Sequence, residues 1–262
     1  MKPIAELPSS DAASIRFILT DIDDTLTSEG RLENEAFDAL WRLHEANLRV
    51  IPVTGRPAGW CDCIVRQWPI DAVIGENGAF ALYWEEGSVN EIVHPDAASP
   101  DHRRNLDSIR NRVLSEVRGA RVARDQAFRR FDLAIDFRED PPRLSYDVAE
   151  RIAEFCREMG AEAKISSIHV NTWFGAYDKL GMARLFFSRM FRLGIDELKR
   201  QVTFCGDSPN DEPMFAFFPL ACAVANIYET IAYISAMPTY VTNASHGSGF
   251  AEFAKCILEK RP

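Results

Sequence analysis

Three aspartates, Asp21, Asp23 and Asp24, follow directly after an apolar run that begins at Ile15 and has the length of a β-strand. Like charges this close repel one another unless a cation or a shared proton relieves them. Open α/β sheets place their ligand sites beyond the carboxyl ends of the strands. A solvated acidic turn is the alternative interpretation, but the position at the end of a strand favours a functional site.

A second acidic loop, Gly206–Asp211, follows the strand-like run Val202–Cys205 and begins with a glycine. Its two aspartates, Asp207 and Asp211, are four residues apart. On a loop between a strand and a helix, such a pair can coordinate a hard divalent cation directly or through water. The two acidic loops together are therefore candidates for one metal-dependent site.

A third candidate loop begins at Thr54 and Gly55, after the strand-like run Leu48–Val53. A helix is predicted over Leu32–Asn47, so the two strands and the helix form a βαβ unit with parallel strands. This geometry brings Thr54 to the same sheet edge as Asp21. A hydroxyl followed by glycine offers a side-chain donor and an approachable backbone N–H to a phosphoryl oxygen, although an ordinary turn explains the same residues.

These loops, in this order, resemble the haloacid dehalogenase superfamily. Residues 21–25, Asp-Ile-Asp-Asp-Thr, resemble its DxDxT nucleophile motif, and residues 206–211 are similar residue for residue to its GDxxND motif. Thr54 stands at the second motif position and Lys179 at the third. Asp24 replaces the more common glycine of the first motif, and the resemblance gives this carboxylate no role.

The resemblance implies in-line phosphoryl transfer in which Asp21 attacks phosphorus and Asp23 serves as general acid and then as base. Lys179 would screen the charge of the nucleophile. The implied cofactor is Mg²⁺, with Asp21, Asp23 through its carbonyl, Asp207 and Asp211 as the metal site. The implied phosphate and substrate contacts are Thr54, Gly55, Asn77, Lys179 and Asn210.

Residues 94–167 differ from the remainder in composition, because 13 of their 14 basic residues are arginine. Helices are predicted over Leu106–Val117 and Tyr146–Met159, around a strand at Phe131–Phe137. The guanidinium group suits carboxylates and phosphates, and we expect Arg138 to contact substrate. An insert at this position resembles the C2-type cap of subfamily IIB, which includes sucrose, trehalose and mannosylphosphoglycerate phosphatases and phosphomannomutase.

We therefore predict an α/β protein: a doubly wound, mostly parallel, Rossmann-like core formed by residues 1–93 and 168–262, with a smaller α/β cap at 94–167. The patterns also predict a hairpin from Phe80–Trp84 and Val89–Val93, and a helix over Tyr228–Ala236. A strand is predicted over Ile165–Trp173, with His169, Asn171 and Trp173 on one side.

The formal charge of −9 and a pI near 5.2 argue against nucleic acid or acidic membranes as partners. No apolar run approaches the length of a membrane span, and the first fourteen residues lack a signal-peptide core. The six cysteines lack CxxC spacing and are expected to be reduced thiols in a cytoplasmic protein. The oligomeric state is not determined by the sequence.

The predicted function is Mg²⁺-dependent hydrolysis of a small phosphorylated metabolite, a sugar phosphate or glycosyl phosphoglycerate, through an aspartyl phosphate. A phosphomutase of the phosphomannomutase type would share every residue named. A non-catalytic metabolite-binding module on the same fold is an alternative of another class, against which the complete motif set argues. A carbon–halogen hydrolase would not need the second acidic loop.

Overall fold

The computed structural model describes residues 1–261. The strands are β1 (Lys2–Pro3), β2 (Phe17–Thr20), β3 (Thr27–Ser28), β4 (Arg31–Leu32), β5 (Arg49–Pro52), β6 (Ala72–Gly75), β7 (Phe80–Glu85), β8 (Ser88–Val93), β9 (Arg121–Val122), β10 (Leu133–Asp136), β11 (Glu162–Ile165), β12 (His169–Trp173), β13 (Val202–Gly206), β14 (Cys222–Ala223) and β15 (Tyr240–Val241). The α-helices are α1 (Ser9–Ser14), α2 (Asn34–Glu45), α3 (Ala58–Gln67), α4 (Pro100–Glu116), α5 (Tyr146–Glu158), α6 (Lys179–Phe191), α7 (Ile195–Gln201), α8 (Glu212–Phe217) and α9 (His246–Lys260).

The larger sheet is parallel and has the order β1-β15-β14-β13-β2-β5. A parallel bridge between Val53 and Ile74 places β6 next to β5, and β7 and β8 extend this edge in antiparallel pairing. In the centre, Thr20 lies opposite Cys205 on one side and Pro52 on the other. The loops that carry the three candidate motifs therefore leave the sheet at the same level.

Helices cover both faces of the larger sheet. Side chains of β2 alternate between the two faces: Ile18 packs with the cluster that contains Leu40 of α2 and Phe250 of α9. Leu19 packs with the opposite cluster, which contains Phe186 of α6. Because both faces are buried, the first three residues of the strand, Phe17, Ile18 and Leu19, are all apolar. The α/β, doubly wound core is therefore confirmed.

Residues 121–173 contribute a separate antiparallel sheet with the order β11-β12-β10-β9. Helices α4 and α5 pack on one face of it through a third apolar cluster, which includes Ile109, Ile135 and Ile152. We call the segment from α4 to β12 the cap.

The predicted strand Ile165–Trp173 is wrong in detail, because two strands, β11 and β12, form an antiparallel hairpin there. β12 also pairs with β10, so its backbone hydrogen bonds are made inside the cap sheet. The predicted return to the core at residue 168 is therefore too early, and the chain leaves the cap sheet only after Trp173.

The predicted helix Tyr228–Ala236 is also wrong: two short 3₁₀ turns, 225–229 and 231–233, occupy this segment. Just after the second turn, the Glu212 carboxylate accepts the N–H groups of Ser235 and Ala236, at 2.9 and 2.8 Å. Pro238 follows, and the residue before a proline disfavours helical geometry. The predicted hairpin is confirmed as β7 and β8. Within residues 1–261, no helix has the length and hydrophobicity needed to cross a bilayer.

A buried carboxylate, that of Glu76, joins the cap to the core. It accepts hydrogen bonds from the backbone N–H of Ala58 in the core and of Arg130, Phe131 and Asp132 in the cap, at 2.6 to 3.1 Å. Glu76 is 0 % exposed, so these four donors replace the water that a buried carboxylate loses. The cap strand β10 is thereby anchored directly above the loop that follows β6.

Candidate active site

The ammonium group of Lys179 connects the two acidic loops. Its Nζ lies 2.9 Å from Asp21 Oδ1 and 2.7 Å from Asp211 Oδ1. Lys179 is the first residue of α6, and the carboxylate of the preceding Asp178 caps this helix by accepting the N–H of Gly181 at 2.6 Å. This hydrogen bond from Asp178 fixes where α6 starts, and it therefore fixes where Lys179 points. Residues from three separate loops thus meet at the predicted sheet edge.

Three buried carboxylates, those of Asp21, Asp207 and Asp211, have oxygens within 4.8 Å of one another. Burial and the Asp211 charge, opposed by Lys179, together raise the pKa of Asp21 to about 7. Burial and repulsion from Asp211 raise the pKa of Asp207 well above its usual range. One ammonium group therefore does not neutralise the cluster. A carboxylate-rich, buried set of oxygen donors of this kind fits a hard divalent cation.

Two further side chains orient Asp207. The Thr25 hydroxyl donates to Asp207 Oδ1 at 3.2 Å, and Asn226 Nδ2 donates to Oδ2 at 3.1 Å. Asn226 was not predicted as a site residue. It lies three residues after the end of β14, at the same edge of the sheet as the acidic loops, and this position is the signal that could have identified it.

Asp24 has a backbone role that explains why glycine is common at this motif position. Its φ is 58°, in the left-handed region that glycine enters most easily and aspartate tolerates. Its carbonyl accepts Asn226 Nδ2 at 3.0 Å and lies 3.2 Å from Nδ1 of His246. Asp24 is thus held by the turn, and its side chain does not belong to the three-carboxylate cluster.

The carboxylate of Asp23 is bound by Arg56, which the sequence interpretation did not assign to the site. Arg56 Nε lies 2.9 and 3.0 Å from the two Asp23 oxygens, and Nη2 lies 2.6 Å from Oδ1. Two cap carboxylates also reach Arg56: Glu139 at 3.1 Å and Asp125 at 3.6 Å. The guanidinium carbon lies 4.4 Å from the centre of the Trp60 ring. Arg56 follows Thr54 and Gly55 at the predicted sheet edge. A basic side chain at this position is the sequence feature that could have identified Arg56 as a site residue.

Thr54 and Gly55 occupy the predicted position beside Asp21. Thr54 is fully buried, and its hydroxyl oxygen accepts the backbone N–H of Arg56 at 3.0 Å. A Cβ atom at Gly55 would lie 2.9 Å from Asn171 Nδ2 and 3.2 Å from Asn77 Oδ1. Glycine is therefore required for these two amides to pack against the loop.

Residues 18–101 match the family of haloacid dehalogenase-like hydrolases. The matched segment contains Asp21, Asp23 and Thr54 in the geometry just described. Over this segment, the chain therefore resembles haloacid dehalogenase-like hydrolases.

The chain aligns with similar proteins over nearly its whole length. It is 27% identical over 249 residues to a phosphoglycolate phosphatase of Methanothermobacter thermautotrophicus, covering 93% of this chain and 99% of the relative. Protein 0175 of Thermoplasma acidophilum has a similar structure, with a TM-score of 0.70, 19% identity and coverage of 93% and 98%. The sucrose-phosphatase of Synechocystis, solved with sucrose and phosphate, gives a TM-score of 0.64, 14% identity and coverage of 94% and 98%. At these identities, the two solved structures establish the fold.

Asn210 and Asn77 both lie near the loop that carries Asp21. Asn210 lines a narrow pocket together with Asp21 and Gly55, and its Oδ1 accepts the Ser208 hydroxyl at 2.6 Å. Asn77 has φ 56°, in the left-handed region that an Asn-Gly turn favours, and lines a neighbouring small pocket that also includes Lys179. The structure therefore brings both predicted amides to the acidic site.

Arg138 lies outside the narrow pocket. It lines a larger cleft of about 550 Å³ between core and cap, and its guanidinium carbon lies 5.3 Å from the centre of the Tyr146 ring. Asp23 and Arg56 line both spaces, so the cleft adjoins the narrow pocket. The predicted cap arginine is thus placed on the approach to the acidic cluster, away from the nucleophile itself.

Proposed function

We propose that this protein is a phosphatase that cleaves a small phosphorylated metabolite through an aspartyl phosphate on Asp21. The observation that carries the proposal is the Asp21 carboxylate beside Lys179, in a buried cluster of three aspartates at the carboxyl edge of a parallel sheet. Such a site concentrates a nucleophile and charges that can hold a phosphoryl group. The phosphatase relative, aligned along nearly the whole chain, supports the same activity.

We propose Mg²⁺ as the cofactor, because three buried carboxylates with one lysine have an excess of negative charge and offer only oxygen ligands. Asp21, the Asp23 carbonyl, Asp207 and Asp211 would hold it. When bound, Mg²⁺ offsets the carboxylate charge and makes the phosphoryl group more electrophilic. Lys179 supplies a further positive charge, in contact with Asp21 and Asp211.

The chain's own residues account for both proton transfers. An Asp21 oxygen forms a bond to phosphorus as the bond to the alcohol oxygen breaks, and Asp23 gives that oxygen its proton. Water then attacks the phosphorus of the aspartyl phosphate while Asp23 takes the water proton, which releases phosphate and restores Asp21. Positioning and charge neutralisation contribute most of the rate in reactions of this type.

The proposed substrate class is sugar phosphates or glycosyl phosphoglycerates, bound by Thr54, Gly55, Asn77, Lys179 and Asn210 at the phosphate and by Arg138 farther out. The polar cleft of about 550 Å³ beside Asp23 and Arg56 supports a leaving group of several hydrogen-bonding atoms. We also propose a C2-type cap and a cytoplasmic location. The six cysteines, none of which forms a disulfide within residues 1–261, support a reducing compartment.

The decisive experiment measures phosphate release from p-nitrophenyl phosphate by the purified protein with Mg²⁺. We expect activity in the wild type, and none above background in Asp21→Asn or in excess chelator, because the amide keeps the shape but removes the nucleophilic charge. Asp38→Asn, the same change at an exposed position on α2, is the matched control. Full activity of Asp21→Asn, or in chelator, would overturn the proposed mechanism.

A further inference from the structure

One polar side chain at the nucleophile pocket has a buried oxygen that no donor in the described part of the chain reaches. Asn171 of β12 is only 2 % exposed and lines the narrow pocket that contains Asp21, Asp23 and Asn210. Its Oδ1 is buried and, within residues 1–261, accepts no hydrogen bond. A buried acceptor without a donor costs free energy, and native proteins retain few of them.

The cap sheet fixes the direction of this amide. Asn171 lies opposite Ala134 of β10 and Lys164 of β11, so both sides of its backbone are paired. Side chains alternate along a strand, and Val170 packs into the apolar cluster of the cap. Asn171 consequently faces the core, where its Nδ2 packs on Gly55 of the phosphate loop. The unpaired acceptor is therefore held rigidly beside the nucleophile.

The missing partner must be a hydrogen-bond donor, because the unpaired atom is an oxygen that only accepts. Phosphoryl and carboxylate oxygens are also acceptors and do not satisfy it. Arg56 lines the same pocket, but this oxygen accepts no hydrogen bond from it. The guanidinium is instead paired with Asp23, Asp125 and Glu139. A hydroxyl group of a bound substrate is a donor of the required kind.

We propose that Asn171 determines specificity by accepting a hydrogen bond from a substrate hydroxyl close to the phosphate ester, which selects polyol or sugar phosphates. This inference rests on the proposed phosphatase function and adds to it the residue and the chemical group that are recognised. His169, on the same side of β12, is less available for this role, because its Nε2 lies 2.9 Å from Glu139 Oε2.

The test compares glycerol 3-phosphate with n-propyl phosphate, which lacks the hydroxyls, and with 2-phosphoglycolate, which carries a carboxylate at the neighbouring carbon. We expect the wild-type kcat/KM to be roughly 10- to 100-fold higher for glycerol 3-phosphate than for propyl phosphate. In Asn171→Leu, which has a similar shape but no acceptor, this ratio should fall to within about 3-fold of one. Asn171→Ala should show the same loss without added bulk.

Asn111→Leu is the matched control, because Asn111 is an exposed cap residue on α4 and the substitution is the same. Its selectivity ratio should equal that of the wild type. Thermal unfolding followed by circular dichroism establishes that each variant is folded, so the ratio is read only from folded protein.

Two outcomes would overturn the inference. In the first, the wild type hydrolyses p-nitrophenyl phosphate but turns over glycerol 3-phosphate no faster than propyl phosphate. In the second, the selectivity ratio is unchanged in both Asn171 variants. An equal loss for all esters would instead assign the amide to the phosphoryl group. A preference for 2-phosphoglycolate that disappears in Asn171→Leu would assign it to a carboxylate. Failure of the wild type to hydrolyse any phosphate ester, including the aryl ester, would refute the proposed function itself.

Discussion

Arg56 donates hydrogen bonds to the carboxylate of Asp23 through two nitrogens, at 2.6 to 3.0 Å. The arginine side chain is only 3 % exposed. The nearby Asp23, Glu139 and Asp125 charges raise the pKa of Arg56, although burial acts in the opposite direction. The guanidinium therefore stays charged, and it links the proposed acid–base residue of the core to two carboxylates of the cap.

Replacement of Arg56 by methionine should destabilise the protein. It leaves three carboxylates without their shared cation, and breaking a buried ion pair in this way typically costs about 3–5 kcal/mol. Urea unfolding at pH 7 measures the loss. Arg66 provides the matched control, because it contacts Asp62 through the same two nitrogens, at 2.9 and 3.0 Å, but half of its side chain is exposed. Arg66→Met should barely move the urea midpoint, and equal effects of the two substitutions would contradict this explanation.

Glu139 should make the stability of the protein depend on pH in the acidic range. The hydrogen bond with His169 lowers the pKa of Glu139 from 4.5 to about 2, against the effect of burial and with further help from the His169 and Arg56 charges. A carboxyl whose pKa is lower in the folded state contributes stability above its unfolded pKa and loses it as the pH falls. This contribution is therefore complete above about pH 4.5 and is lost between about pH 4.5 and 2.

Glu139→Gln removes that titration, so its urea midpoint should fall less than that of the wild type between pH 6 and pH 3. Glu154→Gln, an exposed change on the cap helix α5, should retain the wild-type dependence. If Glu139→Gln and the wild type lose stability in parallel, the contact with His169 does not depress this pKa in solution.

Asp23→Asn should separate substrates by leaving group. An alcohol leaves poorly without a proton, whereas a phenolate departs with less help, so the loss in kcat should be larger for an alkyl phosphate than for p-nitrophenyl phosphate. Steady-state kinetics on both esters measures the two losses. Equal losses would argue against Asp23 as the general acid.

Arg138→Leu should weaken the use of a sugar phosphate more than that of an aryl phosphate. A charge-assisted hydrogen bond from the cleft to the substrate would contribute about 1–3 kcal/mol, read as a lower kcat/KM for the sugar phosphate. Arg118→Leu, an exposed cap substitution, is the control. An equal drop in turnover for both esters would indicate that the cap contributes to the chemical step. No change for either ester would indicate that Arg138 is a solvated surface residue without a substrate contact.

The position of the acidic loops could be predicted from the sequence because it depends on local order. Each loop follows an apolar run, and the rule for βαβ units makes the strands parallel, so Asp21, Thr54 and Asp207 must meet at one edge of the sheet. The positive φ of Asn77 is likewise a local property, given by the Asn-Gly pair. These features need no knowledge of distant contacts.

Contacts between the cap and the core were decided only by the tertiary structure. Arg56 and Glu139 are 83 residues apart, and the local sequence around either residue does not identify the other as its partner. The return boundary near residue 168 was misplaced for the same reason, since the pattern of β12 indicates a strand but not the sheet in which it pairs. Asn171 shows this limit most clearly. The alternation along β12 places it on one side of a strand, but only packing against Gly55 reveals that its acceptor is buried beside the nucleophile and unpaired.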